Sequence, residues 1–374
     1  LMRYLMSLGR QYSNQHKTLK KVLLVYSSKP PIMQYLASAF NCTGISTEMV
    51  YADANHWFDR YIIHTTNKML HNLRILPKDK SVFSNHPLSH KNYRSSNLWK
   101  TYKQFNPDLV LIIRGIGFRH DVLKEIRKST PLFGWWIEKE ERIEEALGEI
   151  NLFDWYFFIN SSCVDTAMQK RFSNISLLHH SVDPDTFYPM SKINKEIDIC
   201  FVGNWSLKRQ QVIEALLCVT DNIVIYGRKW VKKNFLNSRI KKCVKGKYID
   251  GSALVKLYNK SRIVLNVTNW GFGQGKKRSG MNMRILEVPA TGAFLLTDGS
   301  RDMEAVVTLG KHIAVYESIE ACVKLAQYYL SNTAEREAIA KEGCLHVRHN
   351  YTYDDVINRI IHTYSNLSNY SKIN

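Results

Sequence analysis

The residues best suited to chemistry fall in one stretch, GFGQGKKRSGMNMRILEVPATGAFLLTD, residues 271–298. Gly271, Gly273, Gly275 and Gly280 give a backbone that turns freely and approaches a ligand closely. Lys276, Lys277, Arg278 and Arg284 put positive charge beside it. A helix starting near Asn282 and Met283 would aim its unpaired N–H groups at the same place, so the pattern predicts a phosphate cradle. That helix must be short, because Pro289 lacks an N–H and Gly292 supplies a stop before the apolar run Ala293 to Leu296. Glu287 then lies within about a turn of the cradle. A carboxylate beside a diphosphate is useful as an acceptor for two adjacent hydroxyls, and a ribose supplies them. The competing reading is a basic surface loop followed by an ordinary core helix.

The elements that must position these residues alternate strand and helix. The run Lys20 to Tyr26 is a strand, followed by a turn and a helix over Ile32 to Phe40, without the G-x-G-x-x-G fingerprint of a dinucleotide site. Residues 41–100 are polar and rich in histidine, and their pattern assigns no role. LVLIIRG after Asp108 is a buried strand, Val122 to Lys128 a helix, and Leu132 to Ile137 and Asp154 to Asn160 are strands flanking an acidic helix over Glu138 to Ile150. The order restarts with a strand at Ile197 to Val202, the turn Gly203-Asn204-Trp205-Ser206 and a helix over Leu207 to Leu217. Ile223 to Tyr226 leads to Gly227-Arg228, and Ile263 to Val267 is buried. Such alternation predicts doubly wound parallel sheets, whose ligands sit beyond the carboxyl ends of the strands. That rule draws Arg114, His120 and Glu138 toward a site. Arg209 could reach a diphosphate from the first turn of its helix, or be a solvated surface arginine.

The 374 residues suffice for two domains, and 45% hydrophobic with 23% charged residues are globular values. No apolar run approaches a membrane span, and the opening residues are not read as a signal peptide. Seven cysteines without a C-x-x-C pair favour a reducing, cytoplasmic setting over a disulfide framework or zinc site. The net charge of +19 is unevenly placed: residues 226–247 hold nine basic residues and no acidic one. Such a field attracts polyanions, among them nucleic acid, an anionic membrane leaflet and acidic glycans. A P-loop fails on spacing, since Gly271 to Lys276 reads G-x3-G-K. Asp183-Pro184-Asp185 matches a D-x-D metal motif but is better read as turn punctuation.

GMNMRILEVPATGAFLLTD resembles the donor-binding segment of GT-B glycosyltransferases, most closely the family-1-like transferases related to the spore maturation protein CgeB. NPDLVLIIRG and FGWWIEKEE look like the N-terminal half of the same enzymes, LLHHSVDPDTFYP like their crossover, and FVGNWSLKR like their first donor-contacting loop. The resemblance implies two Rossmann-like domains facing across a cleft. The expected boundaries are 1–185 for an acceptor domain, 186–350 for a nucleotide-sugar domain, and 351–374 for a helix crossing back. It implies that Glu287 holds the nucleotide ribose and that Tyr248 and Ile249 present backbone to the base. Gly203, Asn204, Arg209, Arg228, Asn282, Met283 and Arg284 complete the expected donor site, with Arg114 on the acceptor side. In the retaining E-x7-E pattern the first glutamate would fall at Ser279, so that mechanism does not transfer.

The expected activity is metal-independent transfer of a hexosyl or related sugar from a nucleotide sugar to a glycan or lipid-linked hydroxyl, in bacterial surface polysaccharide synthesis. No cofactor beyond the donor is expected. An inverting reaction would need a base, Glu138 first and His120 second; a retaining one need have none. A solvated acidic helix is the other reading of Glu138. The expected location is cytoplasmic, with peripheral contact at the inner face of the membrane. The alternative function is a polyanion- or nucleic-acid-binding protein on a GT-B-like scaffold, against which no RNA or DNA motif recurs.

Overall fold

The computed structural model describes residues 18–26, 31–51, 56–114, 117–233, 238–268 and 278–370. The chain divides into two compact units, one of residues 1–159, 163–179 and 357–374, the other of 160–162 and 180–356. The sequence reading put the changes at 185/186 and 350/351; the units change at 179/180 and 356/357.

The first unit is built on a parallel sheet of six strands: β1 (Lys21–Tyr26), β2 (Ser46–Tyr51), β3 (Leu109–Ile113), β4 (Leu132–Trp136), β5 (Trp155–Phe158) and β6 (Ile175–Leu177). They lie in the order β2-β1-β3-β4-β5-β6. Every residue of β3 and β4 is buried, as a parallel sheet covered on both faces requires. Carboxylates tie down the amino ends of the strands. Asp108 Oδ2 accepts from the amides of Lys20 and Lys21, both at 3.0 Å, and Asp154 Oδ2 from that of Leu132 at 2.9 Å. β2 is an edge strand with mostly exposed or half-buried residues, which is why its pattern in the polar stretch 41–100 was illegible.

The expected acidic helix over Glu138 to Ile150 is broken. A 3-10 turn at Glu140–Arg142, a short helix at Ile143–Leu147 and a second 3-10 turn at Ile150–Leu152 replace it. Glu140, Glu141, Glu144 and Glu145 crowd like charge along one short stretch, and Arg142 binds Glu138 and Glu145 instead of supporting one continuous helix.

The second unit repeats the scheme with β7 (Ile197–Val202), β8 (Ile223–Tyr226), β9 (Val244–Gly246), β10 (Ser261–Asn266), β11 (Leu295–Asp298) and β12 (Ala314–Tyr316). Their order β12-β11-β10-β7-β8-β9 is the doubly wound dinucleotide-binding order, reversing between β10 and β7. Helices Ile319–Ser331 and Thr333–Asn350 follow, and the last helix runs Tyr353–Tyr370.

Gly134 in β4 marks a close approach. A Cβ there would lie 2.4 Å from the Tyr156 ring, which is itself wedged between Phe153 and Phe158. Gly134→Ala is expected to lower unfolding free energy by about 1–3 kcal/mol through overpacking, measured by urea denaturation.

Candidate functional site

The order reversal of the second sheet leaves a crevice outside the carboxyl ends of β7 and β10, the place where open α/β sheets hold ligands. The donor-side candidates gather along this edge. Gly203 and Asn204 follow β7, Arg228 follows β8, Tyr248 and Ile249 follow β9, and Asn282 to Glu287 precede β11. The glycines and lysines of 271–277 lie outside the described residues.

Ser206 caps the helix Leu207–Leu216 and thereby places Arg209 in its first turn. Arg209 is not the solvated surface residue that its spacing allowed, for it is only 8% exposed. Its Nε donates to the Val267 carbonyl at 3.0 Å and its Nη1 to the Asn204 carbonyl at 2.7 Å. One guanidinium therefore joins the loop after β7 to the loop after β10, stacked 5.5 Å over the Phe201 ring. Burial pushes its pKa down to about 10, nearby Arg284 adding to the effect and Asp298 opposing it, so the group is charged at neutral pH.

The turn beside it is equally constrained. Asn204 Oδ1 accepts from the Arg228 amide at 3.0 Å, and the Gly203 carbonyl accepts from Trp230 Nε1 at 2.8 Å. A Cβ on Gly227 would stand 1.9 Å from that same carbonyl, so only glycine fits. The Arg228 side chain is exposed, and so is Tyr248, whose hydroxyl donates to Asp250 at 3.0 Å; Ile249 is half-buried.

On the other wall Asn266, fully buried at the end of β10, is the hub. Its Oδ1 accepts from Asn282 Nδ2 at 2.9 Å and from Arg284 Nη1, its Nδ2 donates to Thr297 at 2.8 Å, and its carbonyl accepts from the Tyr316 hydroxyl at 3.0 Å. Arg284 also bonds the buried Tyr258 hydroxyl, whose pKa burial drives upward. The expected helix opens at Arg284 and runs to Ala290, with Met283 at its cap and Gly292 in the left-handed region beyond it. Asn282 Oδ1 is buried without a hydrogen-bond partner among the described residues.

Glu287, one turn into this helix, is half-buried, and no described residue donates a hydrogen bond to its carboxylate. Burial pushes its pKa up to about 7, with Arg284 opposing.

Four residues here had no role in the sequence reading. Asp298, at the end of β11, accepts from the Thr268 amide at 3.0 Å, from the Thr268 hydroxyl and from Lys208 Nζ at 2.6 Å. Asn266, Thr268 and Asp298 signal themselves only as polar residues closing apolar strands, NVT and LLTD, and Lys208 as the neighbour of Arg209.

In the first unit Arg114 and Glu138 come together. Arg114 directly follows β3 with φ of 59°, and its Nε lies 2.8 Å from Glu138 Oε1. Arg142 Nη1 holds the other oxygen at 3.0 Å, so Glu138 is no free solvated carboxylate. His120 is exposed at the first position of the helix His120–Arg127. Asp183 caps its own turn, accepting from the Thr186 hydroxyl, which is the punctuation role read from the D-P-D sequence. Among the described residues no helix is long and apolar enough to cross a membrane.

Residues 208–362 match the family model described as glycosyl transferase-like. No curated protein matches the chain significantly. Among solved structures the chain is similar to sucrose-phosphate synthase from Thermosynechococcus elongatus, at 10% identity and a TM-score of 0.64 over 93% of this chain and 99% of that one. A glycosyltransferase from Rickettsia africae gives 13%, 0.65, 93% and 98%. Anabaena HepE, in complex with UDP-glucose, gives 12%, 0.62, 92% and 99%. The two parallel sheets thus have the GT-B fold, and residues 208–362 are similar to the glycosyl transferase-like family.

Arg209→Ala is expected to leave the buried Val267 carbonyl unpaired and to release the part-buried Asn204 carbonyl, at a cost of about 1–3 kcal/mol of stability, read from urea denaturation at pH 7. Arg209→Lys, which keeps the charge but not the fork, should fall between the two.

Proposed function

We propose that the protein transfers a sugar from a nucleotide-sugar donor, bound on the second unit, to a hydroxyl of a glycan or lipid-linked acceptor in surface polysaccharide synthesis. The observation that carries this reading is the pairing, at the β10/β7 reversal, of two anchored guanidiniums with a carboxylate that has no hydrogen-bond donor among the described residues. Arg284 sits close enough to Arg209 to help lower its pKa, a repulsion that an incoming diphosphate would relieve. Both are held from behind by carbonyl or amide oxygens, so they would meet developing negative charge without reorganising. This is the basis for proposing a metal-independent transfer. Glu287, with no described donor on its oxygens, is suited to accept from both hydroxyls of a ribose. The complex of HepE with UDP-glucose makes UDP the first nucleotide to try.

On the acceptor side Glu138 is the proposed base for an inverting reaction, and His120 the second candidate. Arg114 and Arg142 hold Glu138 oriented, and accepting a proton would require one of those ion pairs to loosen. The basic surface favours an anionic or lipid-linked acceptor and peripheral contact with an anionic leaflet. The same charge motivates a second reading, a polyanion-binding protein without transferase activity.

Thermal shift with UDP, GDP, CMP and ADP and their sugars, in metal-free buffer, tests the donor site. One nucleotide should raise the melting midpoint of the wild type and fail to do so in Glu287→Ala. At about 100 times Kd the stabilisation is about 2.7 kcal/mol, a readily measured shift. No shift with any nucleotide, alongside tight salt-sensitive RNA binding, would instead support the polyanion reading.

The pH dependence follows from the raised Glu287 pKa of about 7. The native state holds this proton between the unfolded carboxyl pKa and about 7, so its contribution to stability declines as pH rises through that window. Glu287→Gln should therefore melt higher than wild type at pH 8 and lose that advantage at pH 5. Nucleotide affinity of the wild type, which uses the ionised carboxylate, should rise over the same interval, as titration calorimetry would show.

A further inference from the structure

Between residues 57 and 83 the first unit exposes large apolar side chains that its core does not use. Trp57, Tyr61, Met69, Leu73, Ile75 and Phe83 are each between 53% and 68% exposed. The first four lie on a helical stretch that begins at Trp57, passes through a wide π turn at Asp59–Ile63 and continues as His64–Asn72 to its cap at Leu73. Trp57 and Tyr61 are about one turn apart, and so are Met69 and Leu73, so each pair is adjacent on the helix surface, and the exposed row winds gradually along it.

The opposite side is the one that faces the protein. Asp59, Ile63 and Asn67, again four apart, are buried. Asp59 Oδ1 accepts from the His90 amide at 2.9 Å. Asn67 donates to the Ile63 carbonyl at 2.9 Å and the Val82 carbonyl at 3.1 Å, and accepts from the Val82 amide at 2.8 Å. These bonds fix the rotation of the helix and fold the 74–82 loop back against it, so the apolar side is held outward.

The flank of that outward side is basic. Arg60, His64 and Lys68 repeat at the same spacing and are exposed, as are Arg74, Lys78 and Lys80 in the loop. Arg60 lies over the Tyr61 ring at 5.6 Å. Residues 57–83 hold five Lys or Arg against Asp59 and Asp79, and Asp59 is buried in the anchor, so the surface is positive. A tryptophan and a tyrosine at headgroup depth, aliphatic side chains beside them and cations along the edge match an anionic bilayer surface in both polarity and charge.

We propose that this side of the 57–73 helix and the 74–83 loop dock on an anionic lipid bilayer. Trp57, Tyr61, Met69 and Leu73 enter the acyl boundary, and Arg60 and Lys68 meet lipid phosphates. The inference deepens the membrane-side reading of the acceptor given above. Its test needs neither donor nor acceptor, so it stands or falls apart from sugar transfer.

The full chain is sedimented with phosphatidylcholine vesicles with and without phosphatidylglycerol, at low and moderate salt. Wild type should pellet with the anionic vesicles and not the neutral ones, and the Trp57 emission should move to the blue, a change absent in Trp57→Phe. Tyr61→Ser/Met69→Ser and Arg60→Ser/Lys68→Ser should each weaken binding about tenfold or more, with far-ultraviolet circular dichroism and melting midpoint unchanged. Wild type and both double variants pelleting alike would overturn the assignment to this helix while leaving membrane contact in place. No pelleting of wild type would overturn both. A dimer of wild type that the Tyr61→Ser/Met69→Ser variant loses, without lipid binding, would mean that a second copy covers this side and would also overturn it.

Discussion

A buried guanidinium cannot shed its charge and must find acceptors where it sits, and that constraint organises the second unit. Arg209 meets it by taking one carbonyl from the loop after β7 and one from the loop after β10. Those two strands are the neighbours between which the sheet order reverses, so the side chain spans the crevice at its base. The rest of the site is layered on this staple. Asn204, whose carbonyl Arg209 holds, receives the Arg228 amide, while Gly203 receives Trp230 and leaves Gly227 no room for a side chain.

The opposite wall follows the same logic with an amide in place of a charge. Asn266 uses Oδ1 twice and Nδ2 once, and so fixes Asn282 and Arg284 relative to β10 and β11. Asp298 does for Thr268 and Lys208 what Asn266 does for Arg284. Each polar group in these walls is used to hold another, with few exceptions. The Asn282 Oδ1 and the Glu287 carboxylate are the ones left open among the described residues, and burial raises the Glu287 pKa to about 7. Unspent hydrogen-bonding capacity beside two fixed cations is what a binding site for a phosphorylated, hydroxyl-rich ligand needs before the ligand arrives.

Legibility differed with how local the controlling physics was. The fully apolar run LVLII was readable as a strand, because burial on both faces leaves no ambiguity of pattern. The short helix at Arg284–Ala290 was readable from Pro289 and Gly292, whose backbone limits are intrinsic. The edge strand β2 was not, since STEMVY gains its place by pairing with β1 and not by composition. The acidic stretch after Glu138 was misread as one helix, because its charges are settled by Arg142 within it and by Arg114, which follows β3.

The sequence by itself determined which segments could be strands and where backbone had to bend. It also supplied the residues proposed to hold a diphosphate and a ribose, because charge and hydrogen-bonding capacity reside in single side chains and their near neighbours. Only the tertiary structure decided that Arg209 is a buried staple and not a surface cation. It alone made Asn266 and Asp298 the struts of the site, and turned one side of the 57–73 helix outward. These outcomes depend on pairings between residues distant in sequence, such as Thr268 with Asp298 and Arg209 with Val267, whose free energy exists only once the fold has brought them together.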